Sequence, residues 1–289
     1  MMILKLLRVS SWLKNSFVIA PLIYSMNIFN SEALIQAVIA FFVYSFTSSS
    51  LYIVNDIVDR EKDLLHPRKK NRPIASGKIA ISSALIISIS LMISAVLGAC
   101  YLNTTFLMVL GIFIANNLIY SYYWKHVNLL DSFSIGISFV LRTIGGCVAI
   151  AVVPSSWIII MTFTLSLFLI FIKRKSEIMM LKDKAVHHRK VLRNYTVEQL
   201  NLFIVIAATI TITAYVLYSI NKEVTELLGT ELLVYSSFFV FLGVFRFLQL
   251  SFTDEYDQEG DPTTLIVKDR FSQFNLVAYL IFIIAIIYF

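Results

Sequence analysis

The stretch from Ala33 to Asp63 reads ALIQAVIAFFVYSFTSSSLYIVNDIVDREKD, and its character changes at Asn55. Residues 33–54 hold no charged side chain. A helix rises about 1.5 Å per residue, so a run of this length matches the roughly 30 Å hydrocarbon core of a bilayer, whereas a barrel strand needs only about ten residues. Residues 55–63 then mix acids with bases, as a helix leaving an apolar layer would.

Working outward, similar apolar runs occur near 16–29, 81–101, 104–122, 132–153, 156–172, 199–219, 232–253 and 271–289. With 33–54 they predict nine transmembrane helices. Of the 289 residues, 58% are hydrophobic and 15% charged, and the mean hydropathy is +0.80. No ordinary water-soluble domain has that composition. Unpaired backbone in lipid is prohibitively costly, so these runs read as helices and the class as all-α. A single transmembrane domain over 1–289 is expected, since no low-complexity linker or short repeat divides the chain. The first run reads as a helix rather than a cleaved signal peptide, with Lys14 and Asn15 at its start and Pro21 interrupting it. Cys100 and Cys147 fall inside apolar runs, which gives a disulfide framework or a zinc site no support.

The basic residues set an orientation. Of 24 Lys and Arg, 21 fall in 1–15, 55–80, 123–131, 173–198 and 254–270, all on one side of the predicted topology. Positive loops stay inside, so the amino terminus is expected in the cytoplasm and the carboxyl terminus outside. The net charge of +6 is concentrated in two long inner loops rather than spread as a nucleic-acid footprint. Anionic lipid headgroups account for part of it. Chemistry is therefore expected at the cytoplasmic face of an inner, plasma membrane.

If the second helix continues past Val54, Asn55, Asp59 and Asp63 recur every four residues and share a face. Three oxygen ligands in a row, about 6 Å apart along the axis, would repel one another unless a cation sat among them. Hard oxygens of this kind suit Mg²⁺, which also takes substrate phosphate oxygens. The alternative is a solvated helix end compensated by Arg60 and Lys62. Arg68, Lys69, Lys70 and Arg72 follow within ten residues and favour the first reading, because cations beside a metal can hold the phosphates that it bridges. His66 has no partner at metal-ligand spacing and reads as structural.

The block from Asn55 to Gly77, ending Arg72-Pro73-Ile74-Ala75-Ser76-Gly77, resembles the N-D-x-x-D-x-x-x-D region of the UbiA superfamily of membrane prenyltransferases. That resemblance implies nine helices and an active site lined by Mg²⁺-binding acidic motifs. Members that use a prenyl diphosphate donor carry a second aspartate motif after helix six. Here Lys173-Arg174-Lys175-Ser176-Glu177 stands in its place, with Asp183 isolated downstream. Fewer acids and more fixed cations should hold fewer metals and a donor with more phosphate charge.

One branch fits that departure. The chain is similar to the decaprenyl-phosphate phosphoribosyltransferases, through Trp12, Lys14-Asn15, Pro21-Leu22, the Asn55–Gly77 block, Tyr120-Ser121, Asp131, Leu141-Arg142, Lys173-Arg174, Glu177, Phe245-Arg246, Gly260-Asp261-Pro262-Thr263 and Lys268-Asp269-Arg270. The resemblance implies transfer of 5-phosphoribose from phosphoribosyl pyrophosphate to a polyprenyl phosphate, in cell-envelope biogenesis. The donor pyrophosphate is then expected on Mg²⁺ held by Asn55, Asp59 and Asp63. Asp59, Asp63 and Lys173 form the catalytic set, and Arg68, Lys69, Lys70, Arg72 and Arg174 neutralise phosphates.

Other polar positions divide between roles. Arg142 lies mid-span, where a lone arginine costs on the order of 3 kcal/mol, so it requires a partner or a wet pocket. Lys14 serves as a topology anchor or a phosphate ligand. Glu177 lies one turn from Lys173 and faces the same way. Tyr120, Lys125 and Asp131 are candidates to orient ribose or phosphate, and Asp261 to bond ribose hydroxyls from a tight turn. The run 182–193, with His187 and His188, reads as a solvated or headgroup-contacting face, and homo-oligomerisation is left open. Two rival functions remain: attachment of a prenyl chain to an aromatic acceptor, disfavoured by the missing second aspartate motif, and transport, disfavoured by polar residues clustering at helix ends rather than the midplane.

Overall fold

A computed structural model describes residues 2–65, 69–181, 190–252 and 268–289. The long helices are α1 (Ser31–Val58), α2 (Ile81–Leu102), α3 (Thr104–Tyr122), α4 (Leu130–Ala149), α5 (Ser156–Leu181), α6 (Val197–Ser219), α7 (Ser237–Ser251) and α8 (Arg270–Tyr288). Eight spans among the described residues are long and apolar enough to cross a membrane. Several begin at the caps that their sequences offer. Asn30 accepts from the amides of Glu32 (3.0 Å) and Ala33 (3.3 Å) to start α1. A reciprocal Thr196–Gln199 box starts α6, and Asp269 starts α8 by accepting from Ser272 N at 2.9 Å.

The expected first span, 16–29, is not one helix. The chain there forms a short helix Met2–Leu6, a 3-10 helix Val9–Val18 and a short helix Ala20–Tyr24. Two physical reasons are visible. Pro21 lacks an N–H and sits in the first turn of a new helix. Polar side chains of the 3-10 segment are also drawn to α1: Trp12 Nε1 donates to Ser49 Oγ (3.0 Å) and Asn15 Nδ2 to Ser45 Oγ (3.0 Å). The apolar run ending near 172 is likewise exceeded, because α5 carries on to Leu181 and makes 173–177 helical.

The described chain divides into two compact units, Met1–Tyr122 with Leu141–Pro154, and Tyr123–Val140 with Ser155–Phe289. In the first, Val18, Val43, Tyr44, Ala95, Phe106 and Phe113 form the buried core. Tyr44 meets Phe106 and Phe113 edge-on, at centroid distances of 5.8 and 5.1 Å, and donates its hydroxyl to Leu141 O at 2.7 Å. Small residues let backbones close up, the usual substitute for a hydrophobic driving force between helices in lipid. A Cβ on Gly98 would stand 2.7 Å from Val43, one on Gly145 2.3 Å from the Tyr44 hydroxyl, and one on Gly146 2.0 Å from Val18 O. In the second unit, Phe168, Phe171 and Ile172 of α5 pack with Leu200, Ile204 and Val244. Thr211 Oγ1 donates to Thr164 Oγ1 at 2.9 Å, and the Tyr215 hydroxyl lies 2.7 Å from Ser236 Oγ. Leu, Ile, Val and Phe side chains stay exposed along most of the long helices, as surfaces solvated by lipid do.

Gly146→Ala should destabilise the protein by about 1–3 kcal/mol through overpacking, although alanine is the better helix former. Gly111→Ala, with nothing within 4 Å of the added Cβ, should be neutral or stabilising. Melting temperatures in detergent compare the two, and equal effects would remove the close-approach argument.

Candidate functional site

In the first unit α1 ends at Val58, and a separate short helix, Arg60–Leu64, follows across Asp59, whose backbone (φ −89°, ψ 8°) is not helical. Asp59 N donates to Asn55 O at 2.9 Å, and Asp63 N to Asp59 O at 2.8 Å. These two bonds set Asn55, Asp59 and Asp63 about one turn apart along the backbone, across the break at Asp59. Asn55 Nδ2 donates to Ser121 Oγ (3.3 Å), which leaves its carbonyl oxygen directed elsewhere. Asp59 is half-buried, with the Lys62 ammonium 3.8 Å away. Asp63 is buried and accepts from Arg72 Nη1 at 2.6 Å.

Arg72 makes a second contact that the sequence reading missed. The same Nη1 donates to Asp56 Oδ1 at 2.8 Å, and Arg8 also donates to that oxygen. Asp56 is only 4% exposed. A signal for it existed: seven residues advance a helix about 700°, within roughly 20° of two full turns, so Asp56 and Asp63 share a stripe. Nothing in the local sequence points to Arg8. It is placed by a left-handed backbone (φ 50°) and by its position 4.7 Å over the Tyr52 ring.

The Arg72 loop is held by packing. Pro73, Ile74 and Ala75 are buried, and Ile74 packs with Leu6, Ile53 and Ala84. Gly77 takes φ +71° in the turn that closes it, and Gly77 N donates to Ile74 O at 3.1 Å. Apolar side chains thus press the loop onto α1 and fix where the guanidinium starts. Lys69 and Lys70 are exposed, while Arg68 lies outside the described residues.

Arg142 finds the partner that its depth demands. Its Nε donates to Asn15 Oδ1 at 2.7 Å, and its guanidinium sits 4.7 Å over the Phe113 ring. Lys14, next in sequence to Asn15, is half-buried, as is Tyr120 on α3.

In the second unit, Arg174 is 1% exposed on α5. Its Nε donates to Asp131 Oδ2 (2.9 Å) and its Nη1 to Glu177 Oε2 (2.7 Å). Asp131 is fully buried and also accepts from the Tyr195 hydroxyl at 2.8 Å. Burial first, and then the Asp131 carboxylate, push the Tyr195 phenol above its ordinary pKa. It therefore remains a protonated donor. Tyr195 in turn accepts from Leu129 N at 3.0 Å. Asp131, expected among the ribose or phosphate contacts, is instead engaged by Arg174 and Tyr195. Lys175 is buried as well, donating to Ser251 O at 3.2 Å with its ammonium 3.5 Å from the Phe252 centroid. Lys173, Glu177 and Lys125 are half-buried. Asp261, His187 and His188 lie outside the described residues.

Among the described residues no three His, Cys, Asp or Glu side chains converge as metal ligands. The Asn55, Asp59 and Asp63 set is two carboxylates and an amide. Its hard oxygens fit Mg²⁺, which favours such donors together with water and phosphate oxygens. One of the three, Asp63, is held by Arg72.

Long lipid-compatible helices with a charged cluster at the end of α1 define an integral membrane protein. The chain belongs to the UbiA prenyltransferase family, which matches residues 16–221. It is 34% identical over 223 residues to the decaprenyl-phosphate phosphoribosyltransferase of Corynebacterium glutamicum, covering 75% of this chain and 67% of that protein. To the protein of the same name in Mycolicibacterium smegmatis it is 27% identical over 294 residues, covering 99% and 92%. The fold matches a UbiA homolog from Archaeoglobus fulgidus bound to DMAPP and Mg²⁺, with a TM-score of 0.73, 16% identity and 99% of each chain covered.

One ion pair sets a pH dependence. Arg246 donates to both oxygens of Asp269, at 3.0 and 2.7 Å, and these bonds hold that carboxyl well below the usual carboxylate range. A lowered folded value means that the contribution is complete above the unfolded value of about 3.9 and fades as pH falls below it. The melting-temperature gap between the wild type and Asp269→Asn should stay constant from neutral pH to about pH 5 and narrow below about pH 4. A gap that widens on acidification would contradict the pairing.

Proposed function

We propose that this protein transfers 5-phosphoribose from phosphoribosyl pyrophosphate to a polyprenyl phosphate and releases pyrophosphate. The observation that carries the reading is the charge at the end of α5. Lys173, Arg174 and Lys175 stand where prenyl-diphosphate enzymes of the family place acids, and Arg174 bonds both Asp131 and Glu177. An end so poor in free acid suits a donor richer in phosphate rather than a second metal. Likeness to phosphoribosyltransferases along nearly the whole chain supports the same choice.

Asn55, Asp59 and Asp63 would hold Mg²⁺, which when bound supplies charge neutralisation for the departing pyrophosphate. Lys69, Lys70 and Arg72, with Arg68, are assigned to the phosphates of the donor. Lys173 is assigned to the donor, with Arg174 and Glu177 fixing the stretch of helix that carries it. Tyr120, Lys125 and Asp261 are proposed to orient the sugar, Lys14 and Arg142 to line the pocket. Departure of pyrophosphate leaves positive character at the anomeric carbon, and a phosphate oxygen of the lipid forms the new C–O bond. That oxygen is already anionic, so no general base is required. Preorganised charge is the main catalytic contribution.

The same reading places one transmembrane domain over 1–289 in the plasma membrane, with the amino terminus and the site cytoplasmic. The broken segment Met2–Tyr24 supplies the ninth crossing. Its 3-10 portion rises about 20 Å at ~2 Å per residue and each flanking helix about 7.5 Å, enough end to end for the ~30 Å core.

Purified protein with Mg²⁺, phosphoribosyl pyrophosphate and polyprenyl phosphate should yield a phosphoribosylated lipid by mass spectrometry. A parallel reaction with a prenyl diphosphate and 4-hydroxybenzoate should yield nothing, and the reverse pattern would select the aromatic prenyltransferase reading. Asp59→Asn should abolish turnover while keeping its helical circular dichroism. Lys173→Ala should raise the apparent KM for the donor about tenfold or more, as loss of a charge-assisted contact does. The KM for the lipid should move far less, and an unchanged donor KM would remove Lys173 from the site.

A further inference from the structure

We propose that Arg72 is an internal stand-in for the metal, which must let go of Asp63 before a divalent cation can bind there. Resting on the assignment of Asp63 to the metal set, the inference adds a coupling between metal and diphosphate.

The argument begins with how two buried carboxylates are shared. A single nitrogen, Arg72 Nη1, lies 2.8 Å from Asp56 and 2.6 Å from Asp63, so each of its two N–H bonds goes to one acid. Asp56 and Asp63 side chains are 6% and 4% exposed, against 28% for Arg72. The acids are committed to the interior while the guanidinium keeps an open side. Arginine has five N–H donors, and those not used on the two acids are available to phosphate oxygens.

The two acids are not held equally. Asp56 has two arginines, Arg8 and Arg72, whereas among the described residues Asp63 has Arg72 alone. When Arg72 swings away, Asp56 keeps Arg8, while Asp63 loses its one cation among the described residues. The freed carboxylate is thus the one in register with Asn55 and Asp59. The backbone need not move, because Ile74 is anchored among Leu6, Ile53 and Ala84; rotation of one long side chain suffices.

Charge decides when this happens. Asp56, Asp63, Arg8 and Arg72 sum to zero, and Asp59 of the metal set is balanced by Lys62 at 3.8 Å. Adding a divalent cation alone would put two positive charges into a balanced, partly buried cluster, where such interactions are weakly screened. If a diphosphate arrives with the metal, it cancels that charge and gives Arg72 a new partner. Metal and diphosphate should therefore bind cooperatively, and by linkage each strengthens the other equally.

Mn²⁺ binding without any phosphate, followed by electron paramagnetic resonance, tests the idea directly. Arg72→Gln should bind Mn²⁺ about tenfold more tightly than the wild type, since it removes the competing cation from Asp63. Arg8→Gln removes the same charge but leaves the Asp63 contact, so it should change the affinity by no more than about threefold. The double variant Arg72→Gln with Asp63→Asn should lose the gain. Chelation of metals should weaken pyrophosphate binding in the wild type, as reciprocal coupling requires, and unchanged binding there would count against the exchange. Unchanged or weaker Mn²⁺ binding in Arg72→Gln, with Mg²⁺-dependent turnover intact in the wild type, would overturn the exchange and leave the metal assignment standing. Turnover without any divalent ion would overturn that assignment itself. Should Arg72→Gln fail to fold by circular dichroism, Arg72→Lys serves instead. Its ammonium lacks the planar fork, so it should bind Mn²⁺ more tightly than the wild type, and equal binding would count against the exchange.

Discussion

A charge placed among lipid-solvated helices has no water to fall back on, and the described polar architecture is organised by that constraint. Burying an unpaired ion is far more costly than burying a paired one. Arg142 rests on Asn15 and the Phe113 face, Arg174 on Asp131 and Glu177, and Arg72 with Arg8 on Asp56 and Asp63. Each pairing fixes two elements against each other. The 3-10 segment is tied to α4 through Asn15, the 69–72 loop to α1 through Arg72, and the loop around Tyr195 to α4 and α5 through Asp131.

The same pairings define what is left for a ligand. Arg174 faces two protein carboxylates, which tie α5 to α4 beside Lys173. Asp131 and Tyr195 hold Arg174 in turn, with the phenol kept protonated by burial and by the neighbouring carboxylate. At the end of α1 the balance is less complete. Asp59 is half-buried with a distant lysine, and Asp63 is held by one shared guanidinium.

Close packing supplies the rest. The gap between α1 and its neighbours is set by glycines at 98 and 145, whose missing side chains admit Val43 and the Tyr44 hydroxyl, and that between α4 and the 3-10 segment by Gly146, which admits the Val18 carbonyl. Such approaches bring Asn15 within reach of Arg142 and let the N-terminal pieces lie against α1. Polar contacts of the kind Tyr44 makes with Leu141 O then have geometry good enough to matter in an apolar medium.

Composition and run length by themselves determined the helical membrane class, because backbone in lipid has few alternatives. The four-residue recurrence of Asn55, Asp59 and Asp63 also lay in the sequence, since helix periodicity is local, and the family resemblance lay in the same residues. The demand of Arg142 for a partner was legible, but its identity, 127 residues away in Asn15, was not. Nor was the division of residues 2–24 into three short helices, which depends on side chains reaching across to α1. The pairing of Asp56 with Arg8 joins positions 48 residues apart, and those of Asp131 with Arg174 and Tyr195 join positions 43 and 64 apart, so none of them shows in local spacing. Local spacing fixes which faces are polar. Only tertiary packing decides which charges neutralise one another, because that choice is made by distance through space in a medium where an unmatched ion is not tolerated.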